Sequence, residues 1–315
     1  MSWKAGNAQP KWEECCYAAL VRDRWKEEGL PPPGSRLLGR YRLDEAVARG
    51  GMAMIYRGHD LTMNRTVAVK VLPDRLRTER SHARFLRETR LAAQISHPNV
   101  VVTYDAGLLD DGVPFLVMEY LEGKTVYQML KDSGRFPLSD ALLILGSVLE
   151  GVNAAHARGV IHRDLKPSNV HIGRSRDVKV IDFGLSKDVA ERGPRLTGPK
   201  EALGTPSYMS PEQVLADPAD ARTDVWGAGT LFYEMVVGRR AFPKAEAPRG
   251  PARDKQVREI FASILRYDPP RPSEGGHLPK AIDTFVARAL AKAPDDRFQT
   301  MEEMQRASEE LFRAR

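Results

Sequence analysis

Two short runs hold residue types that could do chemistry together. The first is His162-Arg163-Asp164-Leu165-Lys166-Pro167-Ser168-Asn169 and the second is Asp182-Phe183-Gly184. Asn169 and Asp182 offer hard oxygen donors, which a divalent ion such as Mg²⁺ prefers. Lys166 places an ammonium two residues from the carboxylate of Asp164. Such a set suits work on phosphate groups, which need positioning and charge neutralisation more than covalent help. Either run alone could arise by chance. Both together, in this order and with their aspartates eighteen residues apart, do not read as coincidence.

The two runs are protein-kinase signatures. Over residues 41–312 the chain resembles the eukaryotic-type (Hanks-type) serine/threonine protein kinase family. The pieces Gly50-Gly51-Met52 and Ser207-Tyr208-Met209-Ser210-Pro211-Glu212-Gln213 suggest a bacterial member. The resemblance implies an α+β, bilobal fold. A small lobe of five antiparallel strands and one helix would span residues 38–121, and a larger, mostly helical lobe residues 122–315. It also implies ATP and Mg²⁺, with Mn²⁺ as an alternative, and protein substrates modified on Ser or Thr.

The roles implied by that resemblance are specific. Asp164 would orient the substrate hydroxyl and accept its proton, Lys166 would offset charge on the γ-phosphate, and Asn169 and Asp182 would hold the metal. Lys70, in Val67-Ala68-Val69-Lys70, would hold the α/β-phosphates and pair with Glu88 on the next helix. Taken alone, such a pair would read as a surface contact worth under about 1 kcal/mol; the neighbouring motifs reverse that reading. Adenine would lie between Ile55 and Ala68, bonded along its edge to the backbone at Glu119–Leu121, with Met118 controlling the pocket behind. Without the resemblance, Phe115 to Tyr120 reads only as a buried strand.

The phosphate loop departs from the family pattern. Where G-x-G-x-x-G is expected, the chain has Ala48-Arg49-Gly50-Gly51-Met52-Ala53. Gly50 and Gly51 keep the backbone free to approach phosphate, whereas the two alanines restrict positive φ and are expected to weaken or alter nucleotide affinity. Farther on, Gly204-Thr205-Pro206 to Glu212 matches the end of an activation segment, with Ser210 where many relatives have alanine. Thr205 would shape a pocket for a small hydroxyl residue. Thr197 is the candidate phosphosite, because Arg163 offers a cation to an added phosphate. Glu212 is expected to pair with Arg297, and Asp224 to brace the catalytic loop.

The elements that must position these residues follow from periodicity and punctuation. Tyr41–Val47, Ala53–His59, Thr66–Leu72, Val100–Leu108 and Pro114–Tyr120 read as strands. A helix is expected over Ser81–Ser96, ended by His97-Pro98. Thr125 and Gln128 form a capping box, and Ser139 is expected to cap a long apolar helix running to Arg158 and stopped by Gly159. Further helices are expected at Asp224–Val237, Asp254–Leu265, Ile282–Ala291 and Thr300–Arg313. Ahead of all these, Trp12–Glu28 could form a short amphipathic helix, and Leu30-Pro31-Pro32-Pro33-Gly34 reads as a linker, so residues 1–37 form an N-terminal extension.

Composition bounds the alternatives. The 42% hydrophobic content suits a sizeable core, and the net charge of +6 is too mild to imply nucleic acid. Seven of the basic residues lie between Arg239 and Arg258 against only Glu246 and Asp254, a stretch expected to be mostly solvated loop, or else a docking surface for an acidic partner. The adjacent Cys15 and Cys16 exclude a disulfide framework and fit a reducing cytoplasm. No strongly apolar run exceeds nine residues, against roughly 20 for a membrane span, and no signal peptide opens the chain. Two other functions are weighed. One is a catalytically weak pseudokinase serving as a nucleotide-binding scaffold, supported only by Ala48 and Ala53. The other is a small-molecule kinase, against which the long segment between Asp182 and Glu212 argues. Oligomeric state and the physiological substrate are left open.

Overall fold

Alternation along Val67-Ala68-Val69-Lys70-Val71 sends the valines to one face of a strand and Ala68 and Lys70 to the other. That division organises the small lobe in the computed structural model, which describes residues 30–49, 53–72, 79–183, 206–243 and 250–313. The strands are β1 (Arg36–Leu37), β2 (Tyr41–Arg49), β3 (Met54–Asp60), β4 (Arg65–Val71), β5 (Thr103–Leu108) and β6 (Pro114–Glu119). They form one antiparallel sheet in the order β1-β2-β3-β4-β6-β5. Tyr41, Leu43, Tyr56, Val67, Val69, Phe115 and Val117 are buried on one face. Ala68, Leu116 and Met118 cluster on the other.

Three sequence expectations need correction here. The sheet has six strands rather than five, because Arg36–Leu37 adds an edge strand to β2. Leu30 is buried in the small-lobe core and Tyr56 Oη donates to the Pro31 carbonyl at 2.9 Å, so this segment is anchored and is not a free linker. Residues 100–102 do not extend β5. Asn99 accepts from Val180 N–H and donates its side-chain amide to the Val178 carbonyl, both at 2.8 Å, which draws Val100 into a parallel bridge with Val180.

The helix α1 (Glu79–Ala93) follows β4 and ends before His97-Pro98. A second, three-stranded sheet of β7 (Gly123–Thr125), β8 (Val170–Gly173) and β9 (Val178–Val180) lies beside the catalytic run. The expected capping box of Thr125 and Gln128 starts α2 (Val126–Ser133). The expected cap at Ser139 does not form: α3 (Leu138–His156) is capped two residues earlier, at Pro137, and the Ser139 hydroxyl faces Asp140 instead. At its far end Gly159 takes φ +72°, allowing Val160 N–H to close on the Ala155 carbonyl at 3.0 Å.

The remaining helices are α4 (Pro211–Leu215), α5 (Arg222–Val237), α6 (Pro251–Arg266), α7 (Ala281–Ala289) and α8 (Met301–Arg313). Helix α5 is buried almost throughout and forms the axis of the larger core. Helix α3 spans 19 residues with a hydropathy of 1.4, longer and more apolar than the nine-residue run suggested, and half of it is buried in the protein. Its Leu142, Leu145, Leu149 and Val152 join that same core. The helix expected over Asp254–Leu265 is α6, which takes in the end of the basic stretch, while residues 244–249 of that stretch lie outside the described residues. At the start of the stretch Arg240 is packed against the protein: its guanidinium lies 5.1 Å from the centre of the Tyr208 ring and 3.7 Å from Glu234.

The tie expected between Glu212 and Arg297 is present and complete. Arg297 is buried and donates from both terminal nitrogens to the two Glu212 oxygens at 2.8 Å. Its other donors reach the carbonyls of Ala291, Arg222 and Lys292, so all five N–H groups are used. Burial opposes the Glu212 charge, but Arg297 outweighs it and holds the carboxyl below its ordinary range. That stabilisation is full above the ordinary glutamate pKa and is lost as pH falls through the depressed one. Arg297→Ala should destabilise the fold by roughly 3–5 kcal/mol in urea titration at pH 7, because it strands a buried carboxylate. A change below about 1 kcal/mol would contradict the buried-pair account.

Candidate active site

The catalytic run is held from below by one carboxylate. Asp224, fully buried in the first turn of α5, accepts from His162 N–H at 2.8 Å, Arg163 N–H at 2.7 Å and His156 Nε2 at 2.7 Å. Gly227 sits one turn on, where a Cβ would lie 2.9 Å from the Cβ of Leu165, so only glycine lets helix and loop approach this closely. From the other side, Gln213 donates to the Arg163 carbonyl at 2.8 Å, and its own amide oxygen accepts from Ser210 N–H at 2.9 Å. Arg163 (φ 64°) and Asp182 (φ 68°) both hold positive φ, a conformation that costs non-glycine residues on the order of 1 kcal/mol each.

On this support the reactive groups converge. Lys166 Nζ lies 2.5 Å from Asp164 Oδ2, and Asn169 Nδ2 donates to the same oxygen at 3.1 Å and to the Asp164 carbonyl at 2.8 Å. His162 Nε2 donates to the Ile181 carbonyl at 2.9 Å, leaving Nδ1 to accept from Asp164 N–H at 3.2 Å. Its ring also meets Phe183 edge-on at 4.8 Å. The Asp164 loop and the Asp182 segment are thereby locked together, and Ile181 N–H to the Asn169 carbonyl at 2.9 Å adds a further tie.

Lys70 reaches this cluster from the small lobe, with Nζ 2.7 Å from Asp182 Oδ1. This differs from the expected pairing with Glu88. Among the described residues, the carboxylate in ion-pair range of Lys70 is Asp182, while Glu88 is half-buried on α1 and has interactions of its own. At this distance the lysine and the carboxylate neutralise each other directly. Burial opposes the Asp182 charge, but the nearby Lys70 and Lys166 ammonium groups overcome it and hold the carboxyl below its ordinary range.

The adenine-side residues occupy one apolar surface. Ala68 stands opposite Met118 and Ile55 opposite Lys70, while Leu121 and Ile181 pack against the cluster of Ala68, Leu116 and Met118. Behind Met118 is a small cavity bordered by Thr89, Ala92, Val100, Leu116, Asp182 and Phe183. Ala48 pairs with Ile55 at the end of β2, and Ala53 is buried at the start of β3. Arg49 closes β2. Gly50, Gly51, Met52, Thr197, Thr205, Gly184 and both cysteines lie outside the described residues, as does the expected helix over residues 12–28.

Two residues near the site were missed in the sequence. His156 shares the Asp224 carboxylate, and Lys179 pairs with Glu119 at 2.7 Å. Neither belongs to a short motif, so only the fold brings them in. The oxygen donors fit a hard divalent ion: the Asn169 amide nitrogen is committed to Asp164, which turns its oxygen away from that contact, and Asp182 supplies a carboxylate. Among the described residues no three His, Cys, Asp or Glu side chains group as a metal cage.

A protein kinase domain is matched over residues 41–308. The chain belongs to the protein kinase family. A probable serine/threonine-protein kinase of Streptomyces coelicolor, SCO3848, is 38% identical over 274 residues, covering 85% of this chain and 39% of that protein. The serine/threonine-protein kinase PknB of Mycobacterium tuberculosis is 37% identical over 277 residues, covering 86% of this chain and 42% of that one. The chain thus spans about two-fifths of the length of these curated relatives. Among solved structures, the Mycobacterium tuberculosis PknI kinase domain superposes with a TM-score of 0.69 at 25% identity, covering 89% of this chain and 99% of that one. The bilobal protein-kinase fold is therefore established, and the similarity to bacterial serine/threonine kinases accords with the motifs.

The Lys70–Asp182 pair gives a direct test of the site's electrostatics. In Lys70→Met the partly buried carboxyl loses its nearest counter-charge, so its pKa should rise. Carboxylate ¹³C NMR titration of the nucleotide-free protein should show the Asp182 midpoint moving up. An unchanged midpoint would mean that Lys70 does not set the charge state of Asp182.

Proposed function

We propose that the chain is a non-specific protein serine/threonine kinase, transferring the γ-phosphoryl group of ATP to Ser or Thr hydroxyls of protein substrates. The observation that carries this reading is the convergence of Asp164, Lys166 and Asn169 on one loop, with Asp182 and Lys70 closing the other side. Asp164, its carboxylate oriented by Asn169 and Lys166, aligns the incoming hydroxyl and takes its proton. Lys166 then faces the charge that develops on the transferred group. Lys70 exchanges Asp182 for the α/β-phosphates, which frees the Asp182 oxygens. Asn169 and Asp182 would hold Mg²⁺, or Mn²⁺ in its place, and the ion supplies neutralisation of phosphate charge. Adenine lies along Ile55, Ala68, Met118 and the Glu119–Leu121 backbone. By the resemblance, residues 48–53 would cover the phosphates.

Substrate class and activation rest on Thr205 and Thr197. By the resemblance, Thr205 would bound a pocket for a small hydroxyl residue. Arg163 Nε is buried and, among the described residues, has no hydrogen-bond partner, which supports a phosphate on Thr197 as its acceptor. The scaffold alternative is left with only the alanines at positions 48 and 53, while the groups that transfer phosphate are all present.

Incubation with labelled ATP and a generic protein substrate tests this reading. Label should appear on Ser and Thr, and Asp164→Asn should lower kcat by about 10²–10⁴-fold. By intact mass, Asp164→Asn protein should also lack phosphate on Thr197. ATP binding without transfer by the wild type would favour the scaffold, and equal Thr197 phosphorylation in the variant would exclude autophosphorylation.

A further inference from the structure

We propose that Lys179 is a positioning residue for the nucleotide end of the site, acting through Glu119 to fix strand β9, and with it Asp182, against the sheet that carries Lys70. This rests on the phosphoryl-transfer reading above. Lys179 lies at the centre of β9, three residues before Asp182. Its neighbours Val178 and Val180 are buried in the larger core, so strand alternation turns Lys179 to the opposite side. There its ammonium lies 2.7 Å from Glu119 Oε1, with the two side chains only 16% and 19% exposed.

The same oxygen accepts from Val102 N–H at 2.7 Å, while Glu119 N–H donates to the Val102 carbonyl at 2.9 Å. Three segments therefore meet at one carboxylate: the approach to β5, the end of β6, and β9. Opposite Lys179 on β8 stands His171, largely buried, and burial pushes its pKa down.

The small lobe thus holds the Asp182 segment by two charged struts, Lys70–Asp182 on the cleft side and Lys179–Glu119 behind. They differ in what happens when nucleotide arrives. The first must open, because Lys70 and Asp182 are the groups that face phosphate and metal. The second uses only the Lys179 and Glu119 side chains, whereas adenine meets the Glu119–Leu121 backbone, so it persists and keeps Asp182 in register while the first exchanges. Without Lys179, part of the binding energy goes into restoring that register, which weakens binding but leaves the bound geometry the same.

The test compares Lys179→Met, Lys179→Arg, Glu119→Gln and the double variant Lys179→Met/Glu119→Gln. Lys179→Met should raise the KM for ATP about three- to tenfold, the scale of coupling for a pair in contact. It should leave kcat within about twofold, as for lost binding that is equal in ground and transition states. Lys179→Arg should restore KM, and the double variant should be no worse than Lys179→Met alone. In nucleotide-free protein, the Val102 amide should exchange its hydrogen faster in Lys179→Met than in wild type. An unchanged KM, a fall in kcat at constant KM, or additive effects of the two single changes would overturn the proposal. A wild type that transfers no phosphate would instead overturn the reading on which it rests.

Discussion

A buried carboxylate that accepts from three donors governs the site. Asp224 lies at the start of the most buried helix, and its two oxygens take two backbone N–H groups of the catalytic run and one imidazole nitrogen. Removing such an anion from solvent is costly unless its hydrogen bonds are all made, and here they are made by groups that cannot be displaced without moving the loop. The constraint runs both ways. The loop satisfies the aspartate, and the aspartate holds Arg163 in a positive-φ conformation that it would otherwise leave. From that bend follow the direction of Asp164 and its contacts with Lys166 and Asn169.

The second layer of order is the joining of two sheets around β9. The large-lobe side is secured by His162 to the Ile181 carbonyl and by the edge contact with Phe183. The small-lobe side is secured by Asn99, Glu119 and Lys70. Asp182 sits where these ties meet. It is a partly buried acid kept charged by a neighbouring ammonium, which makes it ready to exchange one cation for another. The pair Glu212–Arg297 plays no part in this chemistry, but it anchors α4, whose Gln213 holds the Arg163 carbonyl.

Short-range signals in the sequence were enough for much of this. Valine alternation placed Lys70 on the cleft face, and the Thr125–Gln128 box marked a helix start correctly. Asp164, Lys166, Asn169 and Asp182 come together as their motifs imply, and Glu212 meets Arg297 across 85 positions. What was not legible depended on contacts between distant segments. Lys70 takes Asp182 instead of Glu88, a contact between β4 and the segment after β9 that no local pattern encodes. Leu30 looked like linker, since a proline run says nothing of what the leucine ahead of it touches, yet it enters the core. Arg240 counted toward an exposed basic surface, but its guanidinium packs over Tyr208 near Glu234. His156 and Lys179 carry no motif, and only the packing of α3 and β9 gives them partners.

The central claim is that Asp224 sets the geometry of the catalytic loop, and Asp224→Asn tests it most directly. The amide keeps the shape but offers only one acceptor oxygen, so at least one buried donor loses its partner, at a cost of about 1–3 kcal/mol. Phosphate transfer by the folded variant should fall by on the order of 10²-fold through misplacement of Asp164, with the dissociation constant for ATP close to that of wild type. A folded Asp224→Asn protein with wild-type kcat would contradict the account.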